Sequence, residues 1–228
     1  MISKRAFQTL RQIRQCLPGL VAALLLAGCK FLRPQADPTR FYILTVPPAV
    51  MERPARGKLT GWRIGFQPVE IPGYLRGRSM VVRTGTNEIH FAEFDRWAEP
   101  LEQGITRVLK ETLRSAPNVE SVSLNSHGGD SLDCDVSITI LACEGVRSEH
   151  ETSSIRFAAK WEIRTSRSDT PASKLGGFSA TNVIWDGGGY TQLAERLSEA
   201  IAGAGRALAA DLPVATNLSG RTTTPARP

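Results

Sequence analysis

Residues 91–113 read FAEFDRWAEPLEQGITRVLKETL and join a strand to the clearest amphipathic helix in the chain. Apolar residues recur on one face of this helix: Leu101, Ile105, Val108, Leu109 and Leu113. Pro100 suits a first helical turn, because its missing N–H would have no partner there, and Pro117 marks the end. These signals predict a helix that begins after Pro100 and ends at residues 115–118.

The segment Asp95-Arg96-Trp97 lies between this strand and the helix, where we expect a loop. Asp95 and Arg96 are expected to satisfy backbone groups of that loop or each other. Trp97 either packs the loop onto the core or, together with Arg96, forms a subunit or partner interface, since Arg and Trp are enriched at such contacts. No residues that would make the segment catalytic are found elsewhere in the sequence.

Upstream of this segment, aromatic and β-branched residues predict four strands. They cover 41–46, 63–71, 79–83 and 88–94, with a hairpin turn at 84–87. Pro68 is expected to place the end of the second strand at a sheet edge or a bulge.

Residues 72–78, PGYLRGR, separate the second and third strands and contain two glycines and a proline. This composition predicts an exposed loop, which would offer Tyr74, Leu75, Arg76 and Arg78 to a partner. The alternative is that Tyr74 and Leu75 fold back and cover the core.

Downstream, a strand is predicted at 119–124, followed by three long strands at 132–144, 154–166 and 174–186. The middle one alternates apolar and polar residues strictly, which is typical of an antiparallel strand with one wet face. Polar segments between the three predict hairpin turns, and therefore a meander.

A second helix is predicted from Thr191, with its apolar face formed by Leu193, Leu197, Ile201, Ala204 and Leu208. Gly203 and Gly205 would allow this helix to approach the sheet or another subunit closely.

The element order β-β-β-β-α-β-β-β-β-α predicts one α+β domain over residues 41–212. We expect a mixed, largely antiparallel sheet with two main helices packed on one face. Residues 213–228 lack apolar periodicity and are expected to be disordered.

The N-terminal 28 residues carry four basic and no acidic side chains and end in an apolar run, as a secretory signal does. The run closes on Leu26-Ala27-Gly28-Cys29, which resembles the lipobox of bacterial lipoproteins, so Cys29 is expected to be acylated and to anchor the chain. Residues 29–40 would form the anchor and tether. Lys30, in place of an aspartate after the cysteine, favours the outer membrane.

Composition excludes little: 41% of the 228 residues are apolar and 22% charged, as in ordinary globular proteins. The formal charge of +6 includes four charges within residues 1–28, which leaves +2 on the remainder. No basic cluster interleaved with aromatics points to nucleic acid.

Cys134 and Cys143 remain after processing, and a disulfide between them is the obvious interpretation in an oxidising compartment. Both lie on one predicted strand, however, nine residues and roughly 30 Å apart, which is far beyond the ~7 Å span of a disulfide. We therefore expect two buried thiols.

The sequence contains no HExxH, GxSxG, SxxK or Gly-rich phosphate-binding motif. The three histidines lack metal-ligand spacing. We accordingly predict no metal, no cofactor and no enzymatic activity.

Several segments in order resemble the ABC-type transport auxiliary lipoproteins, of which PqiC (YmbA) is typical. The matching segments are FYIL at 41–44, IG at 64–65, PVEIP at 68–72, YLRGR at 74–78, VRTG at 82–85 and FAEFDRWAEPL at 91–101. Gly189-Tyr190 at the start of the last helix is also similar.

The resemblance implies a periplasm-facing lipoprotein without catalytic activity, acting with an MCE-domain protein and an ABC transporter permease and ATPase that move lipids between the two envelope membranes. It also implies a ring-like homo-oligomer. The competing interpretation is a lipoprotein regulator or scaffold of cell-wall synthesis or secretion, which would share the anchor and a small α+β domain.

Overall fold

A computed structural model describes residues 36–51, 61–124, 132–148, 152–165 and 172–213. The predicted signal, Cys29, the turn at 125–130 and the tail from residue 214 lie outside these ranges, as does most of the tether. The predicted fold class is confirmed: the domain is a mixed eight-stranded sheet with two main helices.

The strands are β1 (Arg40–Tyr42), β2 (Trp62–Phe66), β3 (Ser79–Arg83), β4 (Ile89–Trp97), β5 (Val119–Leu124), β6 (Cys134–Val146), β7 (Ser154–Thr165) and β8 (Ala172–Ile184). The helices are the single turn α1 (Pro48–Met51), α2 (Leu101–Ser115) and α3 (Tyr190–Asp211), and a 3-10 turn spans Gly73–Leu75.

Strand β6 is the organising strand of the sheet. One edge pairs antiparallel with β7 along its whole length, and β7 pairs antiparallel with β8, which confirms the predicted meander. The other edge is divided: β2 pairs parallel with the first residues of β6, and β3 pairs parallel with Gly145 and Val146 at its end. Two branches, β2–β5 and β3–β4–β1, therefore extend from the same edge.

The helices cover one face of this sheet. α3 packs on β7, β8 and α2, and its predicted apolar face is buried. A Cβ at Gly203 would lie 2.9 Å from the Phe178 ring of β8, and one at Gly205 would lie 2.8 Å from the Thr112 side chain of α2. The close approaches therefore involve the sheet and the second helix. We call the opposite side of the sheet the open face.

Three boundaries predicted from the sequence are wrong. β1 stops at Tyr42 rather than at residue 46, because the next backbone groups bond to the helices: Arg107 donates to the Leu44 carbonyl, and the Thr45 N–H donates to Ser198 Oγ. β2 stops at Phe66 rather than at 71, and it lies between β5 and β6 rather than at an edge. Beyond Pro68 the chain stays beside β6 through an isolated bridge between Glu70 and Thr139, so the break at Pro68 is an irregularity within the sheet.

The third correction concerns the predicted loop at Asp95-Arg96-Trp97, which is strand. β4 extends to Trp97 because β1 pairs with it in parallel, with Arg40 opposite Asp95 and Tyr42 opposite Trp97.

The two cysteines behave as predicted. Cys134 and Cys143 lie on β6, are buried, and form no disulfide in the structure. Burial raises the pKa of the Cys143 thiol to about 12, and the neighbouring Glu144 carboxylate contributes to that rise.

Candidate interaction surface

Asp95, near the end of β4, ties this strand to β1. The Tyr42 hydroxyl donates a 2.8 Å hydrogen bond to Asp95 Oδ1, and Arg40 Nη2 lies 3.0 Å from the same oxygen. The pKa of the Tyr42 hydroxyl is raised, mainly by its burial and secondly by this hydrogen bond to Asp95. The prediction that Asp95 pairs with its own loop or with Arg96 is wrong, because its partners come from β1.

Trp97 and Arg96 point to opposite faces of β4. Trp97 is buried, and its backbone N–H donates to the Arg78 carbonyl. Of the two predicted roles for Trp97, packing on the core is therefore the one observed. Arg96 is exposed on the open face, in register with Phe41 of β1 and Ser79 of β3. Only Arg96 is therefore available to a partner.

The loop at 72–78 folds back in the way that the second alternative predicted. Leu75 is buried, and Tyr74 is half-buried and packs against the core. The pKa of the Tyr74 hydroxyl is raised to about 12, mainly by its burial and secondly by a hydrogen bond to Glu144. Arg76 and Arg78, on the same loop, are exposed.

Glu144, beneath Tyr74, is a buried charge that sequence reasoning missed. Its side chain is fully buried, and Arg83 Nε donates to its Oε1 over 2.7 Å, while Arg156 Nη1 lies 3.6 Å away. The hydrogen bond to Glu144 raises the pKa of the Arg83 guanidinium. The cluster ties β3, β6 and β7 together beneath the loop, which is a structural role for a buried ion pair with several partners.

Sequence reasoning also missed an exposed apolar patch on β1 and β4. Phe41 is 60% exposed, Ile43 51%, Phe91 48% and Phe94 40%, and we call these four residues the aromatic edge. The available signal was FAEF at 91–94: a regular strand cannot bury both Phe91 and Phe94, which lie three residues apart.

A groove lies between α2 and the chain that follows β2. Residues 67–71, with Ser137–Thr139 of β6, Arg76 and Glu102, line one part of about 630 Å³. A second part of about 360 Å³ runs along α2 past Thr106 and Lys110 to Leu124. The groove carries charges of both signs.

The described residues include no group of three or more His, Cys, Asp or Glu side chains placed to hold a metal ion. Within the same ranges, the longest helices are too short or too polar to cross a bilayer.

These observations define an α+β domain with one helix-covered and one open sheet face. Its open face presents arginines and aromatic side chains. The model of the ABC-type transport auxiliary lipoprotein component family matches residues 42–209, and the chain belongs to this family. The family is PqiC-like, as the sequence resemblance indicated.

Solved structures share the fold at low identity. Protein XCC0632 from Xanthomonas campestris, of family DUF330, is 14% identical with a TM-score of 0.58, covering 75% of this chain and 93% of its own. An uncharacterized protein is 16% identical with a TM-score of 0.55, covering 77% of this chain and 99% of its own. No curated protein matches the chain significantly.

Proposed function

We propose that this protein is a non-catalytic docking subunit of an ABC-type lipid transport system, anchored by an acylated Cys29 and facing the periplasm. The match to the transport auxiliary lipoprotein family over residues 42–209 is the observation that carries the proposal. Its direct partner is an MCE-domain protein, which connects it to the transporter permease and ATPase.

The membrane in this proposal is the outer membrane. Lys30 follows the lipobox cysteine, whereas an aspartate at that position would favour inner-membrane retention. The subunit would then bridge toward the transporter as a homo-oligomer, as the family resemblance implies.

Arg76 and Arg78 are the partner contacts that we assign, since both are exposed on the loop at 72–78. The loop is held in a defined position by the buried Leu75 and by Tyr74 above Glu144. A fixed loop loses little conformational entropy on binding, which favours it as a contact site. Arg76 also borders the groove beside α2.

Co-purification of the lipidated chain from envelope membranes tests the proposal. We expect an MCE-domain protein and the transporter subunits to be captured, and the double variant Arg76→Glu, Arg78→Glu to reduce their recovery at least tenfold. Arg206→Glu is the matched control, because Arg206 is an exposed arginine on α3, remote in sequence from the loop.

Recovery of a cell-wall synthase or a secretin in place of the transporter would replace this proposal by the competing one. Deletion of the gene should weaken the envelope barrier. An intact barrier, combined with hydrolase activity of the purified domain, would also contradict the docking role.

A further inference from the structure

The aromatic edge lies at one end of the open face. Along β4, Ala92, Asp95 and Trp97 are buried, while Phe91, Phe94 and Arg96 are exposed on the other side. Phe41 is in register with Arg96, and β1 is the outermost strand of its branch. Four large apolar side chains on β1, β4 and the residue after β1 are thus exposed near one edge of the sheet, and exposed apolar groups of this kind mark protein or membrane contacts.

One arginine borders this patch. Arg96 is exposed on the same side as Phe41, its register partner on β1, whereas Arg40 lies on the other side and pairs with Asp95. Glu93 is the exposed acidic residue in the same stretch of β4. Aromatic side chains beside arginines suit a bilayer surface, where the rings enter the headgroup region and the guanidinium groups meet anionic phosphates.

The position of the edge in the chain identifies the occupant. Arg40 follows Cys29 by 11 residues, so the start of β1 lies within about 40 Å of the anchoring cysteine in any conformation of the tether. Among the described residues, β1 is thus the first element after the anchor. An acyl anchor also raises the effective concentration of lipid at this edge, so that even a weak contact forms.

We propose that the aromatic edge is a second, non-covalent membrane contact, which inserts Phe41, Ile43, Phe91 and Phe94 into the headgroup region of the anionic bilayer that holds Cys29. This inference rests on the acylated anchor of the proposed function. It fixes the orientation of the domain: β1 and β4 lie on the membrane, and the meander points away from it.

Tryptophan fluorescence of the acylated chain, reconstituted in vesicles of phosphatidylethanolamine and phosphatidylglycerol, tests the orientation. Tryptophan is introduced by Phe41→Trp and Phe94→Trp, with Leu175→Trp as control, because Leu175 is a 77% exposed apolar residue on the open face of β8. The four native tryptophans are Trp62, Trp97, Trp161 and Trp185, and all are buried. They provide a constant background, and circular dichroism checks the fold of each variant.

We expect brominated lipids to quench the added tryptophan at 41 and 94 at least twofold more strongly than the one at 175. Arg96→Glu in the Phe41→Trp background should lower this quenching in anionic but not in zwitterionic vesicles, with Arg206→Glu as control. Equal quenching at 41, 94 and 175 would overturn the proposal.

Two further outcomes would also overturn it. A blue-shifted, concentration-dependent emission from position 41 in detergent, without quenching in vesicles, would show that a second copy of the chain covers the edge. A mass spectrum without acyl groups on Cys29 would remove the premise of the orientation. The vesicle assay contains no transporter, so a failed co-purification would leave its result unchanged.

Discussion

Two regions of the same open face differ in what they present to their surroundings. The meander presents polar side chains along β7, namely Arg156, Lys160, Glu162 and Arg164. Its exposed large apolar residues are Leu141 on β6 and, nine residues apart on β8, Leu175 and Ile184. The aromatic edge exposes four large apolar residues within β1, β4 and the residue after β1. One sheet thus combines a surface suited to water with one suited to a partner or a membrane.

The difference shows that exposure alone does not distinguish a solvated face from a contact surface. Both regions have helix-covered cores, with Trp161 and Trp97 buried below them. Stability should therefore depend on the inner residues of both regions, whereas binding should depend on the outer residues of one.

The largest effect is expected from the buried aromatics. Trp97→Ala below the aromatic edge and Phe157→Ala below the meander should each lower the free energy of unfolding by about 3–5 kcal/mol, since each leaves a large cavity. Chemical denaturation measures this loss. Phe94→Ala is the exposed control, and a stable Trp97→Ala protein that no longer assembles would contradict the packing role.

A smaller loss is expected where α3 meets α2. Gly205→Ala places a Cβ 2.8 Å from the Thr112 side chain, so overpacking of about 1–3 kcal/mol should exceed the gain in helix propensity of about 1 kcal/mol. Thermal denaturation should show a lower midpoint. Gly188→Ala is the control, because its Cβ would meet no atom within 4 Å; an unchanged midpoint for Gly205→Ala would show that the helices can separate freely.

A change with pH is expected from Tyr74, on the loop at 72–78, and from Cys143, on β6. The pKa of Tyr74 is raised from 10.0 to about 12 and that of Cys143 from 9.0 to about 12. The folded protein thus retains protons that the unfolded chain has lost. Stability from these groups is complete below pH 9 and declines as pH rises toward 12.

Denaturation at a series of pH values measures this decline. The variant Tyr74→Phe, Cys143→Ala should lose stability less steeply between pH 9 and 12 than the unsubstituted protein. Identical slopes would mean that neither group titrates differently in the folded and unfolded states.

The smallest effect is expected on the polar outer surface of the meander. Arg164 pairs with Glu162 over 2.9 Å, and the hydrogen bond from Arg164 lowers the pKa of that carboxyl. Both side chains face water, so Arg164→Ala should leave the denaturation midpoint within measurement error. A measurable loss would assign the meander surface a structural role that its exposure does not indicate.

Local patterns predicted the parts of the fold that depend on neighbours in sequence. The alternation in β7 and the apolar face of α2 both define which side is buried, and the structure confirms them. The same holds for the hairpin-linked order of β6, β7 and β8. The resemblance also placed the chain in its family.

Contacts distant in sequence were not predictable in this way. The hydrogen-bond partner of Asp95 is Tyr42, which lies 53 residues earlier in the chain. For this reason the segment at residues 95–97, predicted to be a loop, is part of a strand. Glu144 is neutralised by Arg83, 61 residues earlier, so nothing around Glu144 itself predicts its burial. The aromatic edge depends on an irregular stretch of β4 that shifts its register against β3.

The divided edge of β6 has a consequence for the order in which the chain folds. β2 and β3 precede β6 by more than 50 residues, and both need it as a parallel neighbour. A chain that is synthesised from its N-terminus therefore presents these strands before their partner arrives. We expect β6, β7, β8 and α3 to assemble early through local contacts, while the N-terminal half remains the aggregation-prone part of the newly made chain.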